Sequence, residues 1–201
     1  MLLMDTQQRV IFNAYVTKES YLTVLPLFES LKSKGLMPQF VTMDGHLQVM
    51  RAFREVWPQV KIQRCLYHIQ RQGLSWIRIA PKTQAGRELR ALLLKLCEIR
   101  SFKDRDLFLE IYSLWITTYS SFVASLPRTT VAFKDLKRTA ALIHHALPNM
   151  FHYLSDAKVA STTNKLESFY SRLKSDFQRH RGLSEKHKQA YLKWYCFFKN
   201  H

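Results

Sequence analysis

Two carboxylates that lie far apart in the chain, Asp44 and Glu167, are the side chains best suited to chemistry. Asp44 follows the strand-like run 39–43 and precedes an amphipathic helical pattern. It is therefore expected at the carboxyl end of a strand, where open α/β sheets usually place ligands and catalysis. Glu167 opens a later helical pattern. Two carboxylates that converge on folding can hold divalent metal for phosphoryl chemistry.

Each carboxylate also has a purely structural interpretation. Asp44-Gly45 is typical of a turn in which the aspartate caps the following helix. Asn164 as N-cap with Glu167 three residues later fits a capping-box-like pattern. Taken from the residues alone, the metal-binding and the structural interpretations both stay open.

Cys65 and His68 form an isolated Cys-x2-His pair. A structural zinc site needs four ligands, and the sequence offers no second pair at ligand spacing. We therefore expect Cys65 and His68 to pack at the end of their strand, with His68 near the acidic cluster. The sequence contains neither a glycine-rich phosphate loop nor a Gly-x-Ser-x-Gly elbow, which argues against those nucleotide-binding and hydrolase classes.

The charge balance indicates a polyanionic partner. Lys and Arg number 31 against 15 for Asp and Glu, a formal net charge of +16 with a pI near 10.0. Nucleic acid is the first candidate partner and an anionic membrane surface the second. Basic and aromatic residues interleave from 165 onward, which suits contact with a phosphate backbone, although a solvated helix face is the commoner meaning of such a run.

Two further features of composition bear on location. Three widely spaced cysteines argue against a disulfide framework and for a reducing compartment. No stretch approaches the roughly 18 uninterrupted apolar residues of a membrane span. We therefore expect a cytoplasmic protein that is not anchored in a membrane.

Apolar periodicity predicts an α/β pattern followed by a helical region. The prediction comprises a hairpin with its turn near 5–8, helices over 21–34 and 46–57, strands over 39–43 and 60–67, helices from 84 to 147, and a last long basic helix from 165. Within the helical region, one apolar face is predicted to comprise Leu107, Ile111, Leu114, Trp115 and Phe122. In the last helix, the predicted buried face comprises Leu166, Phe169, Tyr170, Leu173 and Phe177.

Three segments together resemble the DDE transposases of the Mutator-like and related bacterial insertion-sequence group. The first runs Val-Thr-Met-Asp-Gly-His over 41–46, then through a helix to Gln-Arg-Cys-Leu-Tyr-His over 63–68. The second is the helical insertion after that signature, which contains Trp76 and Trp115. The third is Ser-Thr-Thr-Asn-Lys-Leu-Glu over 161–167, followed by a basic stretch that includes His-Arg-Gly-Leu over 180–183.

The resemblance implies an RNase H-like core over 1–80 and 156–201, interrupted by a helical insertion over 81–155. It also implies Mg²⁺- or Mn²⁺-dependent cleavage and transfer of DNA strands. Asp44 would be the second acidic ligand and Glu167 the third, with Cys65, His68 and Asn164 as signature residues near the site. The DNA-binding residues would be Lys165, Arg172, Lys174, Arg179 and Arg181. The implied partners are transposon ends and target DNA, bound by a homodimer in the nucleoid, with no small-molecule substrate.

One departure from the family pattern shapes the expected activity. The first aspartate of such sites lies on the first strand of the sheet, whereas this chain opens with what is read as the second strand. Asp5 falls in the following turn and would serve only if residues 2–4 were the first strand. We therefore expect an amino-terminally truncated transposase with two of three ligands and impaired catalysis. The alternatives are a non-catalytic DNA-binding or dimerising remnant and, more weakly, a basic structural RNA-binding protein.

Overall fold

The computed structural model describes residues 1–16, 18–180 and 182–200. It is a mixed α/β protein with small sheets, in which 64% of the described residues are helical. In chain order the elements are β1 (Leu2–Met4), β2 (Val10–Asn13), α1 (Tyr21–Ser33), β3 (Phe40–Met43), α2 (Leu47–Val56), β4 (Lys61–Arg64), α3 (Leu66–Ile77), α4 (Gln84–Lys95), α5 (Phe102–Ser125), α6 (Val131–Ala146), α7 (Asn164–Gln178) and α8 (Glu185–Lys199).

The strands form two small sheets in the described part of the chain. β1 and β2 make an antiparallel hairpin with an irregularity between Leu3 and Met4, and the turn lies near 5–8 as predicted. β3 pairs with β4. The Lys61 amide donates to Gln39 O and the Cys65 amide to Met43 O, at the same sequence offset, which is the pattern of parallel pairing. The α/β class is confirmed, and the RNase H-like topology stays a prediction.

Two predicted boundaries were wrong, namely the end of the strand over 60–67 and the extent of the last helix. The strand predicted over 60–67 ends at Arg64, and α3 begins at Leu66 with Cys65 as its N-cap. From Leu66 onward the apolar residues follow helical spacing, and Leu66, Ile69 and Ile77 are buried on one face of α3. The prediction extended the strand into this helix because its first residues are also apolar.

The predicted last long helix is two helices. α7 ends at Gln178, and α8 starts after Ser184, whose side chain caps it by accepting from the His187 amide. Between them Gly182 has φ +85°, a conformation that side-chain-bearing residues rarely adopt, so the helix cannot continue through it. The predicted buried face of α7 is confirmed in its centre, where Phe169 and Leu173 are buried.

The contacts divide the chain into two compact units. The first comprises residues 1–41, 46–61 and 163–201, and the second comprises 42–45 and 62–162. In the first unit α1 packs on α2 through Phe28 and Phe53, whose ring centroids lie 4.2 Å apart, and through Trp57.

A second core in the first unit joins the β1–β2 hairpin to α7 and α8. Its buried members are Leu2, Val10, Phe169, Leu173 and Cys196. Asn200, just after α8, extends the edge of β2 because its side-chain amide donates to Val10 O at 2.8 Å and accepts from the Val10 amide at 2.9 Å. This amide pairing fixes the end of α8 on the hairpin.

The second unit is built on helices α3 to α6, which bury a single apolar cluster. Two aromatic side chains of α5 tie it together with their polar ends. Trp115 Nε1 donates to Ala85 O at 2.9 Å, and the Tyr112 hydroxyl donates to Ala140 O at 3.0 Å. A buried aromatic ring that also satisfies its polar atom fixes helix register as well as filling volume.

The face predicted for α5 was largely wrong. Trp115 is buried, but Leu107, Ile111, Leu114 and Phe122 are exposed. α5 buries a different line of residues that includes Phe108 and Tyr112. Apolar periodicity identified a helix, but α5 is apolar on more than one side, so the sequence did not show which side packs. Across the described residues, no helix is both long and apolar enough to cross a membrane.

Candidate functional site

Asp44 lies directly after β3, with its side chain exposed. The interpretation of Asp44 as a helix cap is wrong, because His46 is the N-cap of α2. The Cys65 amide donates to Met43 O at 2.8 Å, so Asp44 and Cys65 follow the same ends of two paired strands. The predicted position of Asp44 at the carboxyl end of a strand is therefore confirmed.

A buried arginine lies next to Asp44. Arg64, the last residue of β4, is only 7% exposed, and its Nε has no hydrogen-bond partner among the described residues. Burial lowers the pKa of Arg64 below its ordinary value, and the Asp44 carboxylate opposes that shift. The Asp44 carboxylate thus offsets part of the cost of burying Arg64, since a buried cation is stabilised by a nearby anion.

Gly45 makes room for this guanidinium. A Cβ at position 45 would lie 2.1 Å from Arg64 Nη2 and 2.6 Å from its Cζ. A side chain at 45 would therefore require the end of the Arg64 side chain to shift, and glycine lets the guanidinium keep its buried position.

The strand ends also hold the segment that precedes α7. The Thr42 hydroxyl donates to Ala160 O at 2.7 Å. The Leu66 amide, at the start of α3, donates to Ser161 O at 3.0 Å. Consecutive carbonyls of the segment 160–161 are thus bound by residues that lie close to Asp44 and Cys65 in sequence.

Cys65 and His68 lie at the start of α3. Cys65 is fully buried and His68 is partly buried, and one ligand atom of each lies within 4.8 Å of the other. Thiolate and imidazole are ligands for zinc and softer metals, whereas Mg²⁺ takes oxygen ligands. Their chemistry therefore fits a packed signature beside the strand ends better than a magnesium ligand.

Glu167 lies in the first turn of α7, in the other compact unit from Asp44. The predicted N-cap Asn164 was wrong by one residue, because Thr163 is the cap and Asn164 is the exposed first residue of the helix. The Thr163 hydroxyl donates to Glu167 Oε1 at 2.8 Å. This bond orients the carboxylate and fixes one of its oxygens.

The basic residues of α7 divide between two sides of the helix. Lys165, Arg172 and Arg179 are spaced by seven, which at 100° per residue places them along one line. Lys174 lies on another side of the helix, seven residues after Glu167. All four basic side chains are exposed. Arg181 lies outside the described residues.

Asp5, the remaining candidate for a first acidic ligand, lies in the turn after β1. Its Oδ1 accepts from the Arg9 amide at 2.8 Å and its Oδ2 from Arg9 Nε at 2.9 Å. Burial works to raise the pKa of Asp5, but these hydrogen bonds outweigh it and lower the pKa. Both carboxylate oxygens thus serve to close the hairpin.

The sequence predicted the two carboxylates but not the residues that interact with them, Arg64 beside Asp44 and Thr163 beside Glu167. Arg64 stood out only as a member of the motif over 63–68, because nothing in the sequence signals that an arginine will be buried. The role of Thr163 was missed because Thr163 and Asn164 are adjacent and both residue types are common N-caps, so the sequence did not show which of them caps the helix. For oxygen-ligated metal, the carboxylates of Asp44 and Glu167 are the donors of the right chemistry. That they share one metal site stays a prediction.

The chain was also compared with known protein families. A family described as "Transposase, Mutator family" matches residues 2–186. No curated protein matches the chain. The matched range contains Asp44, the Cys65–His68 pair and the first turn of α7, so the three segments that carried the resemblance all lie inside it.

Proposed function

Because the chain belongs to the Mutator family of transposases, we propose that it is a DNA strand-cleaving and strand-transferring domain that uses Asp44 and Glu167 with Mg²⁺ or Mn²⁺. The observation that carries this proposal is the surroundings of the two carboxylates. Asp44 is exposed at a strand end beside a buried guanidinium, and Glu167 is oriented by the Thr163 hydroxyl.

The metal would be held by carboxylate oxygens of Asp44 and Glu167. When bound, Mg²⁺ activates the attacking oxygen and stabilises the leaving oxygen in phosphoryl transfer. The Thr163 hydroxyl holds the Glu167 carboxylate in one orientation, in which it would serve as a metal ligand. A hydrogen bond of this kind typically changes metal affinity or activity by about 10–100-fold when it is removed.

Arg64 has a positioning role in this proposal. Its buried guanidinium lies beside the Asp44 carboxylate, whose charge opposes the lowering of the Arg64 pKa by burial, and we propose that it holds the Asp44 side chain in place. Gly45 permits that approach because it has no Cβ. Asp5 is not a proposed ligand, since both its carboxylate oxygens accept from Arg9.

The exposed cations of α7 supply the contact with DNA. Lys165, Arg172 and Arg179 span 14 residues, or about 21 Å of helix, which matches several phosphates along one strand. Lys174 lies on the Glu167 side of the helix and is the cation proposed to lie nearest the reacting phosphate. Arg181 extends this set by family resemblance alone. We also propose that two copies act together on DNA.

The test is cleavage of supercoiled plasmid carrying the DNA that flanks the chain's own coding sequence. Because only two of the three acidic ligands expected for the family are assigned, we expect slow nicking. It should require Mg²⁺ or Mn²⁺ and be abolished in Asp44→Asn and in Glu167→Gln. Matched controls are Asp106→Asn and Glu29→Gln, two exposed acidic residues elsewhere, which are expected to nick at the parent rate.

Metal binding gives a readout that does not depend on turnover. Titration of the protein with Mn²⁺, followed by the loss of the free-ion paramagnetic resonance signal, is expected to show binding that both site variants weaken and both controls retain. Salt-sensitive DNA binding without nicking, and with Mn²⁺ binding unchanged by the site variants, would contradict the proposal. That result would identify the chain as a non-catalytic DNA-binding member of the family.

A further inference from the structure

One exposed face of α5 is apolar in the described part of the chain. Leu107, Ile111 and Leu114 are 55%, 45% and 65% exposed. They lie on a flank of α5, roughly 70–130° around the helix axis from the line of residues, including Phe108 and Tyr112, that packs into the unit's own core. Three large aliphatic side chains in one line on a surface helix are far more than the scattered exposed residue that needs no explanation.

The spacing along this face is that of a helix-packing seam. Leu107, Ile111, Leu114, Thr118, Ser121 and Ser125 follow one another at intervals of four, three, four, three and four, and all six are exposed. Alternating three- and four-residue steps keep side chains facing a second helix. We call these six residues the outer seam of α5. Its aliphatic half is followed by small hydroxyl side chains, which allow two helix backbones to approach.

The seam is complementary to itself. If two copies of α5 cross antiparallel with the two-fold axis near Ile111, Leu107 of one copy lies opposite Leu114 of the other, and the two Ile111 side chains meet at the axis. A two-fold interface requires this kind of reciprocity, because the same surface must serve both partners.

Charge identifies the occupant. No Lys, Arg, Asp or Glu occurs between Glu110 and Arg128, so from Ile111 to Ser125 this face lacks the cations that DNA contact needs. The chain carries a net charge of +16, so two copies repel wherever basic surfaces meet. An uncharged apolar seam is the surface at which that repulsion is smallest.

We propose that the outer seam of α5 is the surface through which two copies of this chain associate, antiparallel and centred on Ile111. This inference rests on the proposed function, in which two copies act on DNA, and deepens it by naming their contact. A single helix pair buries less than about 1,200 Å², so the association is expected to be weak and dependent on concentration. Added salt should strengthen it by screening the net charge, whereas salt weakens DNA binding.

The first test is sedimentation equilibrium of the full chain without DNA or divalent metal. We expect a reversible monomer–dimer equilibrium that shifts to dimer at higher salt, and at least about tenfold weaker association in Leu114→Glu. The matched control is Leu22→Glu on α1, where the leucine is 80% exposed. It adds the same charge and is expected to leave the equilibrium unchanged. Circular dichroism checks that both variants fold.

The second test measures orientation by disulfide trapping in a Cys97→Ser background, since the other two cysteines are buried. Ile111→Cys is expected to form a dimer rapidly, and Ile116→Cys, on another side of α5, is expected not to. Mixing Leu107→Cys with Leu114→Cys should give the mixed dimer in preference to either homodimer. A parallel arrangement would reverse that preference and overturn the proposed geometry.

A monomer at every concentration, or a dimer that Leu114→Glu leaves unchanged, would overturn the inference. Either result leaves the proposed function standing if metal-dependent nicking persists. Conversely, a chain that dimerises through this seam but does not nick DNA contradicts the proposed function alone. The two proposals therefore fail separately.

Discussion

The hydroxyl of Thr163 donates a hydrogen bond to Oε1 of Glu167, four residues later and 2.8 Å away. Thr163 is the N-cap of α7, so its backbone is fixed by the start of the helix. The carboxylate is therefore held relative to a rigid element, which is the arrangement that metal ligands require.

Replacing Thr163 with valine removes the hydroxyl and keeps the shape. We expect Mn²⁺ affinity to fall about 10–100-fold, because Glu167 loses the bond that orients it. Folding stability should fall by only about 1 kcal/mol. Thr163→Ser keeps the hydroxyl and is the control, with metal affinity close to that of the parent. Equal Mn²⁺ affinities for the valine and serine variants would show that the bond does not position Glu167.

Gly45→Ala tests the close approach of Arg64. The new Cβ would overlap the Arg64 guanidinium, so this buried group must shift from its position. We expect a decrease of about 1–3 kcal/mol in the free energy of unfolding measured by urea denaturation. In an Arg64→Ala background the clash is gone, so Gly45→Ala should then cost much less. Additive effects in the double variant would argue against this close approach.

The two sides of α7 should differ in their effect on DNA binding. Changing Arg172 or Arg179 to Gln should lower the slope of log affinity against log salt by about one for each phosphate that the side chain no longer neutralises. Lys95→Gln, an exposed lysine on α4, is the control and should leave the slope unchanged. Fluorescence anisotropy with duplex DNA at several salt concentrations gives the slopes. If the control lowers the slope as much as Arg172→Gln, DNA binding is not localised on α7.

Lys174→Gln is expected to act differently from the other cations of α7. It lies on the Glu167 side of the helix, so we expect a larger decrease in nicking rate than in DNA affinity. Arg172→Gln should show the reverse. Single-turnover nicking at saturating protein separates the two effects. A Lys174→Gln variant in which only the DNA affinity decreases would remove Lys174 from the proposed site.

Asp5→Asn tests the hairpin and the site together. The pKa of Asp5 is lowered in the folded state, so its contribution to stability is present above its unfolded value of about 3.9 and disappears as pH falls through the folded value. We expect the variant to be less stable than the parent at pH 7, with a difference that shrinks below about pH 4. Metal-dependent nicking should persist. Loss of Mn²⁺ binding in this variant would instead identify Asp5 as a ligand.

The sequence by itself determined the family, the two carboxylates and most of the elements. Asp44 was correctly predicted at a strand end because alternating apolar residues, Asp-Gly and a one-sided helical pattern are local signals. Glu167 was correctly predicted in the first turn of a helix for the same reason. The exchange of Asn164 for Thr163 as N-cap is the one-residue error expected of boundary prediction, since both residue types cap helices well.

The tertiary structure alone decided which neighbours these residues have. Arg64 is buried beside Asp44 because β3 and β4 pair in a register that no local pattern specifies. The outward face of α5 is exposed because Phe108, Tyr112 and Trp115 occupy the side that packs into the core. A helix that is apolar on several sides does not reveal from its sequence which side a folded chain will bury, because burial depends on the surfaces that other elements bring to it.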